Sequence, residues 1–135
     1  METALEVLER SYERLRTGWV RGAFTLPPHD LVPRSYCILG SVSHPLPTEY
    51  WEFGKHAPTQ DAARYLHAAL PWLWRWRWRN EPVARALIDY NDHKRRTHEQ
   101  MLALCERAIE LCRADNPDPV PMAEFPIEIP YRRAA

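Results

Sequence analysis

Thr97 and Gln100 stand at capping-box spacing, and behind them Met101, Leu104, Cys105, Ala108, Leu111 and Cys112 recur at intervals of three and four. In such a box the threonine hydroxyl and the glutamine amide each satisfy a backbone N–H that the first helical turn leaves open, so the helix start is fixed locally. The apolar stripe that follows must be buried against something. The pattern predicts the longest helix of the chain, running to about residue 113, and a core assembled on its inner face. Thr3 and Glu6 repeat the device ahead of Leu5, Leu8, Tyr12 and Leu15. They predict a first helix over residues 4 to 16, with Gly18 as a left-handed C-terminal cap.

Thirteen prolines divide much of what lies outside these two helices. Proline lacks an N–H and fixes φ, so "WVRGAFTLPPHDLVPRS" and residues 44 to 59, "HPLPTEYWEFGKHAPT", read as packed irregular segments. Ser35 can cap one or two buried helical turns over residues 36 to 42, with Cys37 inward. Thr59 can cap a helix over residues 60 to 70 that buries Ala63, Leu66, Leu70 and Tyr65. Asn80 and Pro82 open another helix through residue 90, with Val83, Leu87 and Tyr90 as its apolar face. The expected architecture is a single mainly α domain of about five helices over residues 1 to 114, with a small two-stranded aromatic β-ribbon. Residues 115 to 135 form a Pro-rich extended C-terminal tail, expected to pack on that domain.

A chain of 135 residues can bury a core of its own without metal or disulfide staples. Its 18 basic and 18 acidic side chains cancel, so no global field draws it to nucleic acid or anionic lipid. Locally the balance differs: residues 64 to 96 hold eight Lys and Arg against three Asp and Glu, an excess of five. The N-terminal "METALEVLER" lacks the basic and apolar regions of a secretory signal, and no apolar run reaches the roughly 20 residues of a membrane span. A cytoplasmic location without membrane association is expected. Cys37, Cys105 and Cys112 are odd in number and lack framework or zinc-knuckle spacing, so they read as reduced thiols.

The run "PWLWRWRWRN", residues 71 to 80, alternates tryptophan with arginine. As a helix it would carry indoles all round, with Trp72 and Trp76 on one side and Trp74 and Trp78 nearly opposite. As a strand it would put all four indoles on one face and Leu73, Arg75, Arg77 and Arg79 on the other. Period two is the better fit. In the tail Phe125, Ile127, Ile129 and Tyr131 also alternate, with Pro126, Glu128 and Pro130 between them, so a ribbon pairing residues 72 to 78 with 125 to 131 is expected. Four exposed indoles would exceed the apolar patch that soluble monomers tolerate. The run is therefore expected first as a core wall with arginines reaching outward, then as a protein or homo-oligomer interface, and last as a nucleic-acid or membrane surface.

Three short stretches, "GWVRGA", "YCILGS" and "DYNDHKRRTHEQMLALCERAIEL", resemble a family of uncharacterised small proteins of actinobacteria and their phages. The family pattern is Trp-x-x-Gly-Ala, then Trp-Cys-x-x-Gly-Ala, then Trp-Asn-Asp ahead of a threonine-capped helix ending in Ala-Ile. The matching positions are Trp19, Gly22 and Ala23, Cys37 and Gly40, Asn91 and Asp92, and Thr97, Ala108 and Ile109. Tyr36 and Tyr90 stand where the family has tryptophan, and Ser41 where it has alanine. The tryptophan and arginine run lies outside the pattern. The resemblance implies a helical fold and a bacterial or phage setting, and no activity.

Cys37, Asn91, Asp92 and a histidine are the residue types of a cysteine hydrolase, in which histidine activates the thiolate and Asn or Asp orients the ring, with His44, His93 and His98 as available bases. Against this, Cys37 is flanked by Tyr36, Ile38 and Leu39 like a small buried hydrophobe. Asn91 and Asp92 fall between two predicted helices, where such residues commonly serve as turns and caps. Asp89, Asp92, His93 and His98 do not complete a metal-ligand set, no cofactor loop is present, and Gly22 and Gly40 are isolated. A non-enzymatic interaction or regulatory protein is expected, binding a protein partner. Arg75, Arg77 and Arg79 would be its recognition face, and Lys94, Arg95 and Arg96 a second basic cluster. Trp19, Gly22, Cys37, Gly40, Asn91, Asp92 and Thr97 are assigned structural roles. The alternatives are a cysteine-dependent hydrolase or small-ligand binder at Cys37 and Asn91–Asp92, and a nucleic-acid binder using the Trp/Arg run.

Overall fold

The structure, a computed structural model, describes residues 2–23, 25–27, 33–43 and 57–115. Among these residues the chain forms α1 (Ala4–Thr17), β1 (Thr25–Leu26), β2 (Ser35–Tyr36), α2 (Ile38–Ser43), α3 (Ala57–Ala69), α4 (Trp72–Arg77), α5 (Val83–Asp92) and α6 (His98–Asp115). It is a single, mainly helical domain, as its patterning predicts, and it carries a small two-stranded antiparallel sheet. The wall of the core is α6, which packs against both α1 and α3. Wedged between α1, α3 and α5 is the short α2, whose six residues are all buried. Its two serines are tolerated there because each is satisfied. Ser41 Oγ donates to the Ile38 carbonyl at 2.6 Å and meets Ser11 Oγ, while Ser43 Oγ donates to the Leu39 carbonyl at 2.7 Å.

Both capping boxes form. Thr3 Oγ1 accepts from Glu6 N–H at 3.2 Å while the Glu6 carboxylate takes the Thr3 N–H. Thr97 and Gln100 exchange the equivalent pair at 3.1 and 3.0 Å. The inner face of α6 buries Met101, Leu104, Cys105, Ala108, Ile109 and Cys112. Thr59 differs from its expected place: it lies inside α3 and is buried, because the helix begins at Ala57.

Gly18 does not adopt the expected left-handed cap. Its φ of −178° and ψ of 140° are ordinary extended backbone. The glycine serves a close approach instead: a Cβ built there would sit 2.2 Å from the Arg34 carbonyl oxygen and 2.8 Å from Ser35 Oγ. That approach lets Tyr36 N–H donate to the Gly18 carbonyl at 2.9 Å and Val20 N–H donate to the Tyr36 carbonyl at 3.1 Å. On its other edge Tyr36 faces Thr25, and Leu26 faces Ser35. Tyr36 thus straps two segments together. Gly18→Ala is expected to cost about 2–3 kcal/mol, since the clashing atom is backbone and cannot swing away. An unchanged urea midpoint would remove this account of the glycine.

The largest correction concerns the tryptophan and arginine run. Residues 72 to 77 are helical, so no strand forms there, and residues 125 to 131, the expected partner, lie outside the described residues. The two strands of the sheet are instead the two-residue pieces β1 and β2. Helix satisfies the run's backbone locally, through bonds such as Arg75 N–H to the Pro71 carbonyl and Trp78 N–H to the Trp74 carbonyl, at 3.1 and 3.0 Å. It also lets Trp74 and Trp78, four residues apart, face the core together.

Candidate functional site

Two constellations carry the residues singled out by sequence. The first is a polar node at the end of α5. Asn91 and Asp92 are not an interhelical turn: α5 runs on through both, and Asn91 is buried at 1% exposure. Asn91 Oδ1 accepts from Trp19 Nε1 at 2.8 Å and from Ile38 N–H at 3.0 Å. Its Nδ2 donates to the Val20 carbonyl at 3.1 Å and to Asp92 Oδ1 at 2.9 Å. The amide's two acceptor and two donor positions are therefore all used. Asp92 Oδ1 also accepts from Gly22 N–H at 3.0 Å, where Gly22 holds a left-handed φ of 74°. Trp19 stacks on the His98 ring at 6.2 Å, and His98 Nε2 contacts the Leu15 carbonyl. Trp19, Gly22, the chain just after Cys37, Asn91 and Asp92 thus join into one lock between α5, α2 and the residue 19–22 segment.

The same node bears on the hydrolase alternative. Cys37 is 6% exposed, and burial pushes its thiol up to about 11 from the usual 9.0, partly opposed by the Gly40 N–H that it accepts at 3.3 Å. Asp92 raises it further. His93 Nδ1 accepts from Arg95 N–H at 3.1 Å, and His98 is held between Leu15 and Trp19. A neutral, enclosed thiol is a poor nucleophile. A rise of two units leaves about a hundredth of the usual thiolate, so alkylation of Cys37 in the native protein at pH 8 is expected at least ~100-fold slower than in the unfolded chain. Mass-spectrometric labelling at or near the unfolded rate would reinstate it as reactive. Because the folded value lies above the unfolded one, its contribution to stability is full below about pH 9 and falls as pH rises toward 11.

The second constellation is α4. Trp74 points inward: its Nε1 donates to the Ala86 carbonyl of α5 at 3.2 Å, and its ring meets Tyr90 and His93 edge-on at 5.4 and 5.8 Å. Trp78 is also half-buried, 6.2 Å from Trp74, and its Nε1 is buried without a partner among the described residues. On the opposite side Trp72, Leu73 and Trp76 are 67%, 61% and 60% exposed. The outward apolar residues are those a helical reading of the run identifies and a strand reading hides.

Arginines frame this outer face. The Arg79 guanidinium lies 4.3 Å from the centre of the Trp76 ring, and Arg77 lies 5.9 Å from that of Trp78. Arg75 Nε donates to the Leu70 carbonyl at 3.2 Å. Among the described residues none of the three pairs with a carboxylate. The second basic cluster divides. Arg96 turns back, with its guanidinium 3.4 Å from the Tyr90 ring centre and 5.3 Å from that of Trp74, while Nε donates to the Tyr90 carbonyl at 2.8 Å. Lys94 and Arg95 stay exposed in the turn before α6. Arg96 is therefore a clamp on the inner side of α4, and burial lowers its pKa from its usual value.

Between α3 and α5 runs an open groove of about 540 Å³ lined by Gln60, Ala63, Arg64, Val83 and Ile88, among others. Its arginines are engaged: Arg64 pairs with Asp61 and Arg85 with Asp89. Among the described residues no three His, Cys, Asp or Glu side chains converge as metal ligands. None of the described helices is long and apolar enough to cross a membrane.

A model of a family of unknown function (DUF6197) matches residues 1–111. The chain belongs to this family. The match spans both constellations, including the α4 run and the Asn91 lock. No curated protein and no solved structure matches the chain.

Proposed function

We propose that this member of the DUF6197 family is a non-enzymatic interaction protein that docks a protein partner through the outer face of α4. The carrying observation is the side-by-side exposure of Trp72, Leu73 and Trp76 under a frame of arginines that, among the described residues, pair with no carboxylate. Together these side chains leave about 400 Å² of apolar surface in water, the size at which a patch on a monomer is commonly functional. Tryptophan and arginine are also the side chains that dominate binding energy at protein interfaces. Two observations favour protein over nucleic acid. Arg79 stacks on Trp76, covering an indole face that a base would need, and the net charge of zero supplies no long-range attraction to phosphate. An intracellular setting in actinobacteria or their phages belongs to this reading and rests on the motif resemblance.

The test is affinity capture from host lysate with the wild type, a Trp72→Ser/Trp76→Ser variant and an Arg75→Glu/Arg77→Glu/Arg79→Glu variant, each first shown to be folded by circular dichroism. A protein retained by the wild type and lost from both variants supports the reading. Retention that disappears with nuclease treatment, or capture indifferent to both variants, overturns it.

A further inference from the structure

The cross-section of α4 restricts what can lie on its outer face. At 3.6 residues per turn Trp72, Trp76 and Leu73 fall within about 100° of one another around the helix. Trp74 lies nearly opposite, as its contacts with Ala86 and Tyr90 require. From the middle of the outer apolar stripe, Arg77 stands about 90° to one side and Arg75 about 110° to the other. Arg79 closes the C-terminal end, with Nη1 donating to the Trp76 carbonyl at 2.7 Å and the guanidinium over the Trp76 ring. Across the helix the order is therefore cation, apolar ridge, cation. The surroundings carry the same sign. Residues 62 to 88 hold five arginines and one carboxylate, Glu81. The turn before α6 adjoins α4, because Trp74 meets both the His93 ring and the Arg96 guanidinium, and that turn exposes Lys94 and Arg95. Among the described residues no carboxylate pairs with Arg75, Arg77, Arg79, Lys94 or Arg95.

We propose that the protein partner of α4 presents an acidic amphipathic helix, with its apolar ridge on Trp72, Leu73 and Trp76 and a row of Asp and Glu on each side of that ridge meeting Arg75 and Arg77. This inference rests on the reading of α4 as a docking face and names the partner chemistry that fits it. A helix repeats apolar residues at three-and-four spacing and carries further positions on both flanks of that stripe. It can therefore deliver carboxylate, apolar and carboxylate groups side by side across its width. An extended segment turns alternate side chains to opposite faces, so it offers a single row and cannot flank its own apolar row on two sides. Trp72 and Trp76 also stand one helical turn apart, about 6 Å along the axis, which is the step between ridge side chains on a facing helix. Guanidinium and carboxylate form charge-assisted, bidentate pairs, which fix register as well as adding affinity. A second copy of the chain docked α4 to α4 is a worse occupant, since it would set arginines against arginines.

The experiment is selection from a display library of randomised peptides, long enough to form several helical turns, on the full wild-type chain. Peptides that also bind the Trp72→Ser/Trp76→Ser variant are removed. The surviving sequences are expected to be enriched in Asp and Glu over the library and to repeat apolar residues at intervals of three and four. The leading peptide, synthesised and titrated by fluorescence polarisation, is expected to bind roughly tenfold more weakly to Arg77→Glu and to Arg75→Glu/Arg77→Glu/Arg79→Glu. Its affinity should also fall with added salt. All proteins are first matched in helicity by circular dichroism. Arg77→Glu alone carries the comparison if the triple variant does not fold, because the Arg75 bond to the Leu70 carbonyl is left in place. Survivors that depend on the tryptophans but are neutral or basic, or that alternate with period two, overturn the acidic helix and leave the docking face standing. A selection that yields no tryptophan-dependent peptide overturns the docking reading, and the acidic helix with it. Displacement of the selected peptides by a short single-stranded oligonucleotide at physiological salt identifies nucleic acid as the occupant and overturns both.

Discussion

Asn91→Ala is expected to lower stability by about 3–5 kcal/mol, which for a chain of this size shifts the thermal midpoint down by roughly 10–20 °C. The magnitude follows from what the amide leaves behind. Trp19 Nε1 and the Ile38 N–H lose their acceptor, and the Val20 carbonyl loses a donor, in surroundings where Asn91 itself is 1% exposed. Each stranded buried group costs about 1–3 kcal/mol, because water cannot replace the partner. Alanine is a better helix former than asparagine, and that gain of a few tenths of a kcal/mol is too small to offset the loss.

Asn91→Asp separates the hydrogen bonds from the shape. It keeps an acceptor for Trp19 and Ile38, removes the donation to Val20, and puts a second carboxylate beside Asp92. Like charges this close raise the pKa of one of them, so the variant's deficit should shrink as the pH is lowered through the carboxylate range. Urea denaturation at pH 7 and pH 4, compared with the wild type at each pH, reads both effects. A deficit below 1 kcal/mol for Asn91→Ala would mean that the three bonds to Trp19, Val20 and Ile38 do not hold α5 to α2 and the Trp19 segment.

What the sequence made legible was local. The capping boxes at Thr3 and Thr97 involve residues three apart, and the stripes behind them need only helical periodicity, so α1 and α6 could be placed directly. The Asn91 lock joins residues up to 72 positions apart, so the motif residues stood out while their common purpose did not. Asn and Asp compete with the backbone for hydrogen bonds and are poor helix formers, which argued for ending α5 before them. Tertiary bonds to Trp19, Val20 and Ile38 instead support the helix through its last turn. Two-residue strands are too short for any period to register. In the run at residue 72, regular alternation of one aromatic type is consistent with a strand face. It equally describes a helix carrying tryptophan on both sides, and only the support offered by Ala86 and Tyr90 on α5 decides between them.

Trp74 and Trp76 are neighbours in type and position, yet their replacement is expected to have opposite consequences. Trp74→Ala removes a half-buried ring, its hydrogen bond to the Ala86 carbonyl and the surface on which Arg96 rests, and should cost about 2–4 kcal/mol. Trp76→Ala removes a ring that is 60% exposed and whose polar company is Arg79 stacked in solvent. The loss of that exposed cation–π contact is worth about 0.5–1 kcal/mol, and no cavity is left. If α4 docks a partner, Trp76→Ala should weaken the complex by 2 kcal/mol or more, about 30-fold in Kd, as an indole at the centre of an interface does. Denaturation midpoints and a binding titration with the captured partner then form a crossed pattern: stability lost at Trp74, affinity lost at Trp76. Equal destabilisation by the two substitutions would instead place Trp76 in the core and remove the reason to regard the outer face of α4 as a recognition surface.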